Sequence, residues 1–213
     1  MEILIIAAHP DDEVLGMGAT IKKISQSNNV HLCVVSEGAS AQYDNDEMIE
    51  IRKDSCKKSG KRLGISEYNF LELPDMKLDT IPHLELNRAL EKIIKKIKPE
   101  IVYTTPYHDL NLDHRKVFES TLIATRPIKS SITKIFSYEI PGPVLKPFEP
   151  NWFENIQKEL KDKIKAFSYY ESEVENFPHP RSIEAIENLA IQRGIESGLR
   201  RAEGFRLIRN VSN

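Results

Sequence analysis

Cysteine is scarce in this sequence. Cys33 and Cys56 are the two thiols in 213 residues. They form no CxxC pair and cannot build a disulfide framework. That usage fits a reducing compartment, with Cys33, inside an apolar run, as a small core residue. Long hydrophobic runs are also lacking. The opening run Ile3 to Ala8 has no basic segment before it and falls far short of the ~20 residues that cross a bilayer. The expectation is a cytoplasmic protein without a transmembrane segment. Charge of one sign is not in excess: the formal net charge is -2, which argues against a general nucleic-acid binder. The basic clusters Arg52 to Arg62 and Lys92 to Lys98 read as solvated helix faces. A dinucleotide-binding GxGxxG is absent too. Gly16-Met17-Gly18 supplies two glycines, but the third position is Ile21.

What is present reads as an ordinary globular α/β chain, with 40% hydrophobic and 29% charged residues. Its length suits one domain with a full core. Strand-like runs at Ile3–Ala8, Val30–Val35, Tyr68–Leu73, Ile101–Thr105 and Ile135–Ile140 alternate with helix-like segments at Asp12–Ile24, Asp46–Leu63, Pro82–Ile97 and Asp113–Thr125. Such alternation implies right-handed crossovers. The fold class is therefore α/β: a Rossmann-like, mostly parallel sheet with helices on both faces. The Pro141 to Pro150 stretch, with four prolines and Gly142, is a loop. Beyond it, Phe153–Tyr170 and Ser182–Arg200 read as helices. The organisation expected is one domain over 1–213, with a core of about 1–140 and a C-terminal helical extension of about 141–213.

In parallel sheets the ligand site lies beyond the carboxyl ends of the strands. The segment after the first strand reads His9-Pro10-Asp11-Asp12-Glu13, and the segment after the fourth leads into Asn111-Leu112-Asp113-His114. Catalytic zinc takes three nitrogen or oxygen ligands and leaves one position open for water. His9, Asp12 and His114 meet that need, and Asp11, pointing elsewhere in the turn, is a candidate base. The competing reading is that Asp12 and Asp113 merely cap helices, with Asp11 and Glu13 favouring the helix dipole. Repetition of the His and acid pattern after two strands favours the metal.

Ala7 to Gly18, with its HPDDE core, resembles the opening signature of the PIG-L/LmbE-type deacetylase family, and Asp113 to Val117 resembles the second. Pro178-His179-Pro180-Arg181-Ser182 and Ala202-Glu203-Gly204-Phe205 extend the likeness more loosely. The resemblance implies zinc (or another divalent metal such as Fe2+) on His9, Asp12 and His114, with Asp11 as general base. It implies that Asp113 orients a neighbouring catalytic group and that Glu37 and Arg52 bind the sugar. It further implies a small amino-sugar conjugate as substrate and a homo-oligomeric state. The reaction would be hydrolysis of an acetamide to acetate and a free amine.

One position departs from the family pattern. Asn111 stands where relatives carry a histidine that serves the oxyanion or the leaving amine. Asn can donate a hydrogen bond but not act as an acid at neutral pH. The missing acid function is then expected from His179, stiffened between two prolines, with His108 as its rival, while Arg181 could bind substrate or hold a carboxylate. Two other readings stay open on the residues alone: a metal-dependent phosphoesterase, and a non-catalytic sugar- or nucleotide-binding module.

Overall fold

The computed structural model describes residues 1–43, 45–128 and 130–212. It contains the strands β1 (Glu2–Ala7), β2 (Asn29–Ser36), β3 (Glu67–Leu73), β4 (Ile101–Thr104), β5 (Lys134–Tyr138), β6 (Trp152–Asn155) and β7 (Ala202–Asn210). The helices are α1 (Asp12–Ile24), α2 (Glu47–Leu63), α3 (His83–Ile97), α4 (Leu112–Ala124), α5 (Leu160–Phe167) and α6 (Ile183–Ser197), with a 3-10 turn at Leu78–Thr80. No helix among the described residues is long and apolar enough to cross a membrane.

All seven strands form one sheet in the order β3-β2-β1-β4-β5-β7-β6. The first five in that order are parallel, while β7 runs antiparallel to both β5 and β6. The unbroken apolar run of β1 follows from its central place. Ile3, Ile5 and Ala7 face a core that includes Val14 and Ile21 of α1, Cys56 of α2 and Phe167 of α5. Leu4, Ile6 and Ala8 face the opposite core, with Leu86 and Leu90 of α3 and Val117 of α4. A strand covered on both faces has no polar side to show. Each fully buried Ile or Leu there contributes about 1.5–3 kcal/mol.

The extension differs from its sequence expectation in one respect. It supplies the helices α5 and α6, and it also supplies two strands. Residues 153–155, expected as helix, pair instead with β7 in the register Phe153↔Gly204 and Asn155↔Ala202. The antiparallel edge offered by β5 captures β7, and β7 in turn captures β6, so tertiary pairing overrides local preference.

The same strand reaches back to the first helix. α1 is broken at Met17, whose φ of -146° and ψ of 24° are not helical. In an uninterrupted helix the Ala19 N–H would bond the Leu15 carbonyl. Here Glu203 of β7 accepts from Ala19 N–H (3.2 Å) and Thr20 N–H (2.7 Å), and Lys163 of α5 donates to the Leu15 carbonyl (2.8 Å). Lys163 and Glu203 also pair with each other at 2.7 Å, both buried. The flanking glycines fit this packing. A Cβ on Gly16 would lie 2.3 Å from the Tyr138 ring, and one on Gly18 3.0 Å from the Lys163 stem.

Glu203→Ala should therefore strand a buried ammonium and two helix N–H groups, costing about 3–5 kcal/mol in urea unfolding. Adding Lys163→Met should recover part of that loss. A single-variant cost under about 1 kcal/mol would show that the kink does not need its ion pair.

Candidate metal centre

β1 and β4 are parallel neighbours, yet the chain leaves them toward opposite faces, to α1 and α4. The two exits open a crevice between them, the usual ligand position in such sheets. The turn after β1 is shaped by Asp12, whose Oδ2 accepts the backbone N–H groups of Ala8 (3.0 Å) and His9 (2.9 Å). The carboxylate thus folds back over the strand end instead of capping α1. Asp11, at the N-cap position, makes no side-chain cap either. Its φ of 118° is a left-handed conformation that a non-glycine residue holds only at a cost.

His9, Asp12 and His114 meet in this crevice, all buried, with one ligand atom from each lying within 4.8 Å of the others. Nδ1 of His9 is 3.2 Å from Nε2 of His114. That same His114 nitrogen is 3.3 Å from Asp12 Oδ1. Two imidazole nitrogens turned toward each other require a proton or a cation between them. Two nitrogens and a carboxylate oxygen form a ligand set of the zinc type, so the residues fit a metal ion.

The outward nitrogens of both rings meet carboxylates. Nε2 of His9 lies 3.2 Å from Asp113 Oδ2 and 3.3 Å from Asp75 Oδ1. Nδ1 of His114 lies 2.9 Å from Asp109 Oδ2, poorly aligned with the ring N–H. Carboxylates in these positions fix ring orientation and raise ligand basicity. His9, Asp75 and Asp113 form a second compact triplet. It reads as this orienting shell, because Asp113 Oδ1 already accepts the Leu78 N–H at 3.0 Å and Asp75 Oδ1 is 3.4 Å from the Ser36 hydroxyl. Asp113 thus lies against His9. Burial alone would push both histidines down, but the surrounding carboxylates hold His9 well above its ordinary value and His114 at about 9. Burial likewise works against Asp12, yet His114 and His9 hold its carboxyl well below the usual range.

Asp11 occupies a different electrostatic box. Its Oδ2 lies 3.4 Å from Arg52 and 3.5 Å from Arg181, whereas its Oδ1 has no partner. Arg52 is not on the solvated face that its basic run suggested. It is fully buried, donates to the Pro10 carbonyl at 2.8 Å, and pairs with Glu173 Oε1 at 2.6 Å. Arg181 takes the other oxygen of Glu173. One carboxylate thus holds two guanidiniums against Asp11. Burial pushes the Asp11 carboxyl up, against the pull of Arg181 and Arg52. Glu13 lies behind it, receiving the Tyr170 hydroxyl at 2.7 Å, and is pushed by burial to about 8.

The remaining expected residues are spread more widely. Asn111 caps α4, its side-chain oxygen accepting the Asp113 N–H at 2.9 Å, and its amide nitrogen points to Met76 Sδ at 3.5 Å. Glu37 braces its own loop by accepting from the N–H groups of Ala39, Ser40 and Asp75. His179 is exposed, and its Nδ1 accepts the Arg181 N–H at 3.1 Å. His108 is exposed on the wall of a separate groove. Sequence reasoning passed over Asp75 and Glu173, and assigned Asp109 no part at the centre. Asp109 does accept the Asn111 N–H at 2.8 Å, and its second oxygen serves His114. Its place in the loop of His114 was the available signal; Asp75 and Glu173 had none.

The facing nitrogens of the metal-free pair share a proton, favoured by the carboxylates that raise both histidines, and a metal must displace it. Zinc uptake at pH 7 should release that proton, and apparent affinity should climb with pH. Calorimetric titration in buffers of different ionisation enthalpy measures this. Binding without proton release would mean that the imidazoles are already neutral.

The model of the PIG-L family, described as GlcNAc-PI de-N-acetylase, matches residues 4–125, which include His9, Asp12 and His114. An Escherichia coli protein named uncharacterized deacetylase YaiS is 34% identical over 165 residues, 74% of this chain and 83% of its own length. Diacetylchitobiose deacetylase of Thermococcus kodakarensis is 26% identical over 99% of this chain and 84% of its own. Among solved structures, the 4-carboxy-2-hydroxymuconate hydratase GalB of Pseudomonas putida superposes with a TM-score of 0.80 at 19% identity, over 100% of this chain and 98% of its own, a likeness of fold alone. On the family match and the sequence relatives, this chain belongs to the PIG-L family of deacetylases, hydrolases that cleave an amide.

Proposed function

We propose that this protein is a zinc-dependent N-deacetylase that hydrolyses the acetamide of an N-acetylated amino sugar, of the N-acetylglucosamine type, carried in a conjugate. The observation that carries the reading is Asp11. One oxygen is anchored between two arginines and the other is unpartnered, in the turn that also supplies His9 and Asp12. The family description and the name of the Thermococcus relative both point to N-acetylated amino sugars.

His9, Asp12 and His114 would hold the ion. Bound zinc supplies Lewis acidity and lowers the pKa of its water toward about 7. Asp11 Oδ1 would accept the proton of the attacking water as its oxygen adds to the acetamide carbon. Arg52, Arg181 and Glu173 keep the carboxylate in place through the transfer. The C–N bond then breaks. Protonated Asp11 returns the proton to the nitrogen, giving acetate and the free amine. The 141–213 extension acts in one unit with the core, since Glu173 and Arg181 belong to it.

The role of His179 changes from the expectation. Its Nδ1 accepts a backbone N–H, which leaves Nε2 to carry the ring N–H. That N–H is a hydrogen-bond donor suited to substrate or oxyanion. Asp11 serves both proton transfers, and Asn111, occupied as a helix cap, needs no substitute.

Asp11→Asn should retain zinc while lowering kcat by about 10²–10⁴. His9→Ala, Asp12→Ala and His114→Ala should lose zinc and activity together. Metal content and acetate release from N-acetylglucosamine conjugates test both, and a zinc-loaded Asp11→Asn with normal kcat would remove Asp11 as the base. His179→Ala and His108→Ala should both keep the basic limb of the kcat–pH profile. Its disappearance in either variant would assign the acid to that histidine.

A further inference from the structure

A groove lies beside the metal-bearing loop, and neither the proton transfers nor the ligand set uses it. Its wall begins at Tyr107 and His108, immediately before Asp109, whose carboxylate contacts His114. Its other side is the proline-rich loop, held there by the Asp109↔Val144 bridge and by the Leu145 N–H donating to the His108 carbonyl at 2.8 Å. Phe118 of α4 and Ile208 of β7 line it further in, and Tyr107 stacks near Phe118 with ring centroids 5.3 Å apart. The volume is about 210 Å3. A dry cavity of about 150 Å3 accommodates one benzene ring, so this space suits one substituted ring or a short branched group and not a long chain.

Two further observations indicate the occupant. Tyr107, Leu110, Val144 and Leu145 are each 40–54% exposed, an apolar rim on the very loops that frame the centre. Apolar side chains clustered at a mouth mark a place where apolar surface is received. Lys146 and Arg206 also stand on the groove with the single acid Glu149; Arg206 donates to the Glu149 backbone carbonyl at 3.2 Å, and among the described residues neither cation is within salt-bridge distance of a carboxylate. The groove is thus apolar along its walls and positive at its edge, and it is continuous in sequence with the loop of His114.

We infer that this groove receives the group attached to the amino sugar, and that this group is a compact apolar one, aryl-sized, carrying a negative charge. The inference rests on the deacetylase reading for the sugar itself. It adds a selectivity that the metal centre alone does not supply, since the acetamide chemistry is the same whatever the sugar carries.

The test compares acetate release from N-acetylglucosamine, its phenyl β-glycoside and its 4-carboxyphenyl β-glycoside. Wild-type kcat/KM should rise at least tenfold from free sugar to phenyl glycoside, and again severalfold for the carboxyphenyl compound. Val144→Asp should remove the aryl gain, and Lys146→Glu should remove the carboxylate gain. Both should leave the free sugar unchanged, because neither side chain belongs to the centre. Equal kcat/KM for the three compounds, or gains that survive both substitutions, would overturn the groove and leave the deacetylase standing. Calorimetric binding of the carboxyphenyl glycoside separates the two readings if no compound releases acetate. Binding weakened by Val144→Asp and Lys146→Glu would keep the groove and reject the reaction, and absence of binding would reject both.

Discussion

A carboxylate taken out of water must be met by donors or cations, and Asp11, Asp12, Glu13, Asp75 and Asp113 are all buried around the ends of β1 and β4. The conformation of this region is the set of answers to that demand. Asp12 curls back onto two backbone N–H groups. Asp113 and Asp75 converge on one nitrogen of His9. Asp11 is met by guanidiniums from α2 and from the segment before α6, which share Glu173. Asp11 and Asp12 find different partners, so neighbouring residues in one turn acquire opposed electrostatic characters. Asp12 is held ionised beside two histidines, while burial pushes the Asp11 carboxyl up against the pull of its arginines.

Much of this was legible before any coordinates. β1, β2 and β4 announce themselves through short apolar runs, since strands buried on both faces cannot alternate. Placing HPDDE and Asp113-His114 at strand ends then follows from sheet geometry. What stayed hidden depends on contacts that no local pattern encodes. Glu173 meets Arg52 across 121 positions of sequence, and its own neighbourhood, Glu171 to Glu175, resembles any acidic surface turn. Trp152 to Asn155 carries no clear strand period, and it becomes a strand because β7 offers an edge. Arg52 looked solvated because its run is basic. Only the helix orientation reveals that it points inward while Lys53 and Lys57 remain near the Phe70 ring.

The fold alone does not choose a reaction, and a hydratase 19% identical to this chain shares it. What separates outcomes on one fold is the side chains brought to the crevice. In this chain those are the arginines around Asp11, the capping Asn111 and the loops bordering Tyr107.

The break in α1 has a temporal side. The helix that follows the turn bearing His9, Asp11 and Asp12 is completed by Glu203, 184 positions beyond Ala19 in the chain. Until β7 is made, the kink of α1 lacks its acceptor and β5 lacks its antiparallel neighbour. A chain interrupted before β7 therefore holds the signature residues on a helix whose break is unsupported.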